Sequence, residues 1–292
     1  MADYCAFIGI VTMIAILNPR NGVDLSSEDF VMGKGITYTA KQPDADGFIA
    51  YSDEEHAVWR TLYERQLKVL PGRACKAYLG AHADLGLSPD HVPQCREISE
   101  RLEPMTGWRV APVPALIPAD QFFTMLANRE FPAASFIRDR RELDYLEEPD
   151  IFHEIFGHAP HLTDRRFSEF TYAYGRASLA ADDRDRELLA RLYWYTAEFG
   201  LVATDDGPRA YGAGICSSPG ETRYAVESTE PERRPFDVID VLRTPFRIDT
   251  YQPIYYVLDS FDTLFDLASS DLGALLRKAR RLGDFAPAFE AA

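Results

Sequence analysis

The stretch P-D-I-F-H-E-I-F-G-H-A-P-H, Pro149 to His161, decides how the rest of the chain is read. His153 and His158 stand five residues apart, with Asp150 just before them and Glu154 between them. Imidazole nitrogens suit iron, zinc, copper or nickel, and a carboxylate added to two imidazoles suits iron in particular. The spacing is not H-E-x-x-H, so the helix of a zinc protease is not indicated. On an ideal α-helix a five-residue offset leaves two side chains roughly 140° apart. Both can face one ion only where the helix bends or the ion sits beside a helix crossing, and Gly157 permits either.

A third ligand should be a carboxylate from elsewhere. Glu198, in R-L-Y-W-Y-T-A-E-F-G-L, is the best candidate. Its helical neighbours Trp194, Tyr195, Leu201 and Val202 place it in an apolar stripe. An ionised carboxylate is costly there unless a cation meets it. Two His and one Glu leave coordination positions open, the facial-triad pattern of non-haem Fe(II) oxygenases. A His in an apolar setting is also an ordinary core residue, and a Glu an ordinary solvated one. Spacing and context leave both readings open.

P-D-I-F-H-E-I-F-G-H, R-L-Y-W-Y-T-A-E-F-G-L and A-Y-G-A-G-I-C-S-S together resemble the pterin-dependent aromatic amino acid hydroxylases, from about Tyr51 to about Phe265. Several long motifs in one order are more specific than any single one. The resemblance is nearest to the bacterial members that act on phenylalanine. It implies His153, His158 and Glu198 as ligands of Fe(II). It implies tetrahydrobiopterin or a related tetrahydropterin as reductant, O2 as co-substrate, and 4-hydroxylation of L-phenylalanine to L-tyrosine. Tryptophan or tyrosine hydroxylation is the same-family alternative. The substrate carboxylate would lie on Arg138, oriented by Asp150, and its ring against Pro149 and Trp194. Pterin contacts are implied for Ile117, Phe122, Glu154 and Tyr193, with the Phe122 ring stacking on the pterin. Ser217 is implied to hydrogen-bond in the region of a ligating imidazole.

The residues by themselves also allow plainer readings. Ile117 and Phe122 read as core, Arg138 as a surface ion pair, and Glu154 as helix-surface charge. Leu146 replaces the Thr of animal members, so a substrate contact through that hydroxyl is absent. Two readings from other classes compete: a zinc hydrolase with Glu154 as general base, and a pterin- or metal-binding module without turnover.

The chain has 292 residues, 46% hydrophobic and 12% aromatic, enough for one large domain or at most two. A net charge of −15 with no basic face disfavours nucleic acid and membrane surfaces as partners. An aromatic amino acid is the expected small-molecule partner. Cys5, Cys75, Cys95 and Cys216 show no C-x-x-C pair or disulfide spacing, so a reducing cytoplasm is the expected setting. The apolar run at residues 5–17 is too short to span a membrane. It is expected to be an artefact of start-codon choice, with translation beginning at Met13 or Met32.

The expected architecture is mainly α with a few short β-strands, similar to the hydroxylase catalytic domain, with the active site in a central cleft. An arm (1–50) precedes one catalytic domain (51–282), and a frayed tail (283–292) follows. That tail is too short for the coiled coil that tetramerises animal members, so a monomer is expected. Ser52 and Glu55 form a capping box opening a helix that Pro71-Gly72 ends. A second helix is expected at Arg73–Leu85, and a loop with a short helix over 86–107. Trp108–Pro118 should be irregular, since Pro lacks the ladder donor. Asp120 should cap a helix through Asn128, and Phe136–Arg138 should be a short strand. Helices are expected at Asp164–Leu179 and, bearing Glu198, at Leu188–Leu201. A hairpin turn should follow at Thr204–Arg209, with close backbone packing at Gly212 and Gly214. Strands are expected at Phe246–Thr250 and Ile254–Leu258, and a helix over 259–282. His161 reads as a solvated or loop histidine.

Overall fold

The computed structural model describes residues 29–31 and 37–288, apart from 116, 145, 147, 148 and 249. The apolar run 5–17 and both candidate start positions, Met13 and Met32, lie outside the described residues. Strands β1 (Asp29–Val31) and β2 (Thr37–Thr39) pair antiparallel within the expected arm. Helix α1 (Asp53–Val69) opens on the expected box. The Glu55 carboxylate accepts the Ser52 N–H at 2.7 Å, and Ser52 Oγ accepts the Glu55 N–H. Val58, Trp59, Leu62, Tyr63 and Val69 form its buried stripe. Each such side chain contributes about 1.5–3 kcal/mol. Pro71 follows the last turn, and Gly72 turns the chain at φ +74°.

Helix α2 (Lys76–Asp84) starts later than Arg73 because the preceding residues pair with a distant segment: the Cys75 N–H donates to Ala210 O at 2.9 Å. Helix α3 (Cys95–Thr106) ends on Gly107 in the left-handed region. The irregular segment expected at Trp108–Pro118 instead contains a strand, β3 (Arg109–Val113). It pairs in parallel with β4 (Glu130–Ala134) across α4 (Ala119–Ala127). Pro112 and Pro132 fit because this sheet has only two strands. Each strand is an edge, and a proline nitrogen facing the free edge costs no ladder bond. Asp120 is not the cap of α4, since Pro118 holds that position. It sits in the first turn, where a carboxylate complements the helix dipole, and pairs with Arg186 at 2.7 Å. Phe136–Arg138 is not a strand; the chain leaves β4, and the Ile151 N–H donates to Phe136 O at 2.9 Å.

Helix α5 (Arg165–Ala180) is capped by Asp164 and buries Phe167, Phe170 and Tyr174. A Cβ on its Gly175 would lie 2.6 Å from Leu126 Cβ, so only glycine lets α4 and α5 approach this closely. Helix α6 (Asp183–Tyr193) is shorter than expected, and Leu201 lies in a strand. Strands β5 (Leu201–Val202) and β6 (Arg209–Ala210) flank the turn expected at Thr204–Arg209, which closes between Thr204 and Gly207 while Arg209 already belongs to β6. Two helices follow, α7 (Ala213–Cys216) and α8 (Pro219–Glu227). Next come β7 (Glu232–Pro235), α9 (Val238–Arg243) and β8 (Ile254–Leu258), giving a four-stranded sheet in the order β6-β5-β8-β7. The strand expected at Phe246–Thr250 does not form at the described residues Phe246, Arg247, Ile248 and Thr250, where Phe246 packs onto Trp194 instead.

Residues 259–282 hold two helices, α10 (Asp262–Ala268) and α11 (Leu272–Leu282). The tail is not frayed at its start: Asp284 pairs with Arg184 at 2.7 Å and Arg191 at 2.9 Å. Arg243 lies over the Phe285 ring. The architecture is thus mainly helical with short strands. Among the described residues no helix is long and apolar enough to cross a membrane.

Candidate functional site

Phe152–His158 is a π-helix. Its i→i+5 bonding brings residues five apart close to one face, which resolves the offset of His153 and His158. Phe152 and Phe156 stack on one another at 4.7 Å and meet Trp59 and Tyr63 of α1 edge-on. Tyr78 donates to the Phe156 carbonyl at 2.6 Å. The aromatic side anchors the turn in the core and leaves the imidazoles on the other. A second π-helix, Trp194–Glu198, follows α6 and ends on the carboxylate.

These two turns bring His153, His158 and Glu198 together, all buried, with one ligand atom from each within 4.8 Å of the others. His158 Nε2 is 2.9 Å from Glu198 Oε1 and 3.1 Å from His153 Nε2, and His153 Nε2 is 3.7 Å from Glu198 Oε2. Two nitrogens each ~2.1 Å from one ion, at right angles to it, are ~3.0 Å apart. Glu198 Oε2 is buried without a hydrogen-bond partner. Burial raises the Glu198 carboxyl, but the two imidazoles overcome this and hold it down at about 2. Burial, against the pull of Glu198, lowers His153. An ionised carboxylate beside a neutral imidazole is the protonation state that a metal requires. The donors therefore fit a divalent ion with positions left vacant.

Ser217 Oγ lies 3.0 Å from His153 Nδ1 and donates its own proton to Ala213 O at 2.7 Å. Its oxygen therefore accepts from the imidazole, which assigns the proton to Nδ1 and frees the Nε2 lone pair. Gln66 supports this turn from α1 by donating to Cys216 O at 2.6 Å and Thr222 Oγ1 at 3.1 Å. Neither Gln66 nor Tyr78 was singled out in the sequence, although a glutamine on the buried stripe of α1 was a visible signal.

Gly212 packs as expected: a Cβ there would lie 2.3 Å from Glu198 O and 2.5 Å from Gly200 N. Gly212→Ala should cost about 1–3 kcal/mol through forced backbone movement. A lowered melting temperature together with reduced iron content would report it; an unchanged iron content would show that the Glu198 turn tolerates the shift.

Arg138 and Asp150 are buried together rather than at the surface. Arg138 donates through Nε to Oδ2 and through Nη2 to Oδ1, both at 2.8 Å, and its N–H reaches Oδ2 at 3.0 Å. Asp150 Oδ1 also accepts the His153 N–H at 3.2 Å, so one carboxylate joins the arginine to the metal turn. Burial raises Asp150, but Arg138 outweighs it and the carboxyl is held below its usual range. Pro149 is buried beside it. Trp194 is fully buried, stacked on Phe246 and in tilted contact with Phe199 at 4.4 Å each.

Tyr193 stacks on His158 at 6.0 Å and meets Phe122 edge-on at 6.2 Å. Ile117 is buried in the same core. Glu154 is buried, and burial reinforced by Glu198 and Asp150 raises its carboxyl well above the usual range. The reading of His161 as solvated is corrected. It is buried, with Nε2 donating to Tyr211 O at 2.6 Å and its ring stacked on Phe167, because the 3-10 turn after Pro160 points inward. It is not one of the clustered ligands.

Residues 31–270 match the biopterin-dependent aromatic amino acid hydroxylase family. The chain is similar to the phenylalanine-4-hydroxylase of Pseudomonas aeruginosa, with 55% identity over 88% of this chain and 97% of that one. It is similar to the Vibrio cholerae phenylalanine-4-hydroxylase at 49% identity, over 87% of this chain and 88% of that one. Among solved structures, the phenylalanine hydroxylase of Legionella pneumophila superposes with a TM-score of 0.84 at 51% identity, covering 86% of this chain and all of that one. The Chromobacterium violaceum phenylalanine hydroxylase with bound iron(III) and 7,8-dihydrobiopterin superposes at 0.79 with 43% identity, covering 86% and 90%.

Proposed function

The chain belongs to the biopterin-dependent aromatic amino acid hydroxylases, and from that membership we propose that it hydroxylates L-phenylalanine at ring position 4, with His153, His158 and Glu198 holding ferrous iron. The convergence of these three buried side chains carries the reading. Bound iron and a tetrahydropterin supply the activation of O2 and the two electrons, one oxygen atom going to the ring.

The residues of this chain bind, orient and exclude water. Arg138 has five N–H donors and spends two side-chain bonds on Asp150, leaving donors for the substrate carboxylate. Asp150 holds the guanidinium in one orientation. Pro149 and Trp194 bound the ring site. Phe122 and Tyr193, with Ile117 and Glu154, form the pterin side next to His158. Aromatic walls keep water out, so fixed groups act at close range in a low dielectric. Residues 51–282 act as one catalytic unit, working as a cytoplasmic monomer.

One assay tests the reading: iron-loaded protein, a tetrahydropterin, air, and phenylalanine, tyrosine and tryptophan in parallel, with products separated. Tyrosine formed from phenylalanine in preference to the other two products supports it. Turnover of tryptophan alone, or pterin consumption without any hydroxylated product, overturns it.

A further inference from the structure

Trp194 opens the π-turn that ends on Glu198, and the turn closes through the Phe199 N–H donating to Trp194 O at 2.8 Å. The indole ring is held on its faces by Phe246, nearly parallel at 16°, and by Phe199 at 38°. Face contacts such as these are soft to sliding in the ring plane. The one polar group of the indole, Nε1–H, donates to Gln252 Oε1 at 2.9 Å and ties the ring edge to that residue.

Gln252 is itself buried, and its amide oxygen, amide nitrogen and backbone N–H all have partners. Its Nε2 donates to Arg247 O at 3.0 Å and Thr250 O at 3.3 Å, and its backbone N–H points to Glu221 Oε1 at 3.4 Å. Tyr255 donates to the same Glu221 oxygen. Both amide hydrogens face carbonyls and the amide oxygen faces the indole N–H, so the amide has one satisfiable orientation. A residue needed only to hold its own loop would use the two donors. The acceptor reaches across to the start of the Glu198 turn.

We propose that Gln252 is a positioning residue that, through the Trp194 indole, sets the π-turn presenting Glu198 and thereby tunes metal affinity. This rests on the reading of His153, His158 and Glu198 as iron ligands. Removing the amide leaves a buried indole N–H unpaired, and the turn relaxes to find a partner.

The test is a double-mutant cycle on the full chain: Gln252→Leu, Trp194→Phe and the pair, with the Fe(II) dissociation constant measured by chelator competition. Unfolding midpoints of the metal-free proteins are measured in parallel. Each single variant should weaken Fe(II) binding by on the order of tenfold, the range found for residues that orient ligands. The double variant should be no weaker than the worse single one. A Gln252→Leu protein that loses midpoint but keeps its Fe(II) affinity within twofold overturns the proposal, as does strict additivity in the cycle. Should Gln252→Leu fail to fold, Trp194→Phe decides alone: unchanged affinity in that variant sinks the idea. A Glu198→Ala control that binds Fe(II) like the parent would instead defeat the ligand assignment underneath.

Discussion

Glu198→Ala should abolish hydroxylation and weaken Fe(II) binding by more than ~100-fold, beyond what removal of a group that merely orients a ligand costs. The carboxylate is the only anionic member of the cluster. Without it the two imidazoles face an ion with no charge to offset. Stability of the metal-free protein should move much less. Removing Glu198 leaves an imidazole at His153 that burial favours neutral, not an uncompensated buried charge, so the cost should be smaller than that of breaking a buried ion pair. Loss of iron with a retained melting temperature is the expected pair of results. A variant that keeps full iron occupancy and turnover would remove Glu198 from the ligand set.

Arg138→Ala should be the most destabilising single change near the site. It strips Asp150 of its guanidinium and leaves a fully buried carboxylate facing no cation, at a cost of about 3–5 kcal/mol. The pH dependence should change sign. In the parent, Asp150 is held below the ordinary carboxylate range. It therefore contributes stability above the unfolded pKa of ~3.9, lost as pH falls through the folded value. In the variant, burial is opposed only by the backbone N–H groups of residue 138 and His153, and it raises the folded pKa. The folded carboxyl then stays protonated, and stability falls as pH rises from ~4 towards that higher value. The stability deficit should accordingly be larger at neutral pH than in mild acid, as unfolding midpoints at several pH values would show. Where the variant is folded, its KM for phenylalanine should rise steeply. A KM equal to that of the parent would take substrate binding away from Arg138.

What was legible in the sequence followed from local chemistry. The Ser52–Glu55 box involves four consecutive residues, and its geometry forms as the helix does. His153, His158 and Glu198 stood out as candidates because a carboxylate in apolar surroundings calls for a cation, yet spacing left a plain core reading open and only the motif resemblance singled out the three together. The glycines around Glu198 were visible as backbone contacts. The π-turns were not legible, since Trp194–Phe199 continues an apolar pattern that suits an α-helix equally well. Strand β7, of sequence E-R-R-P, exists because it pairs with β8 and not because its residues favour a strand. Pro112 misled for the complementary reason: the rule against proline holds inside a wide sheet, and β3 belongs to a narrow one. His161 reads in the sequence as a solvated or loop histidine and residues 283–292 as a frayed tail, and only tertiary packing gives His161 and Asp284 their partners.

The doubly engaged carboxylate at Asp150 carries one further consequence, in thermodynamic linkage. Its Oδ1 accepts from both Arg138 Nη2 and the His153 N–H, so the proposed substrate anchor and the proposed metal ligand share a mechanical joint. Any factor by which occupancy of one strengthens the other must be returned in full, so the ratio of iron affinities with and without phenylalanine equals the ratio of phenylalanine affinities with and without iron.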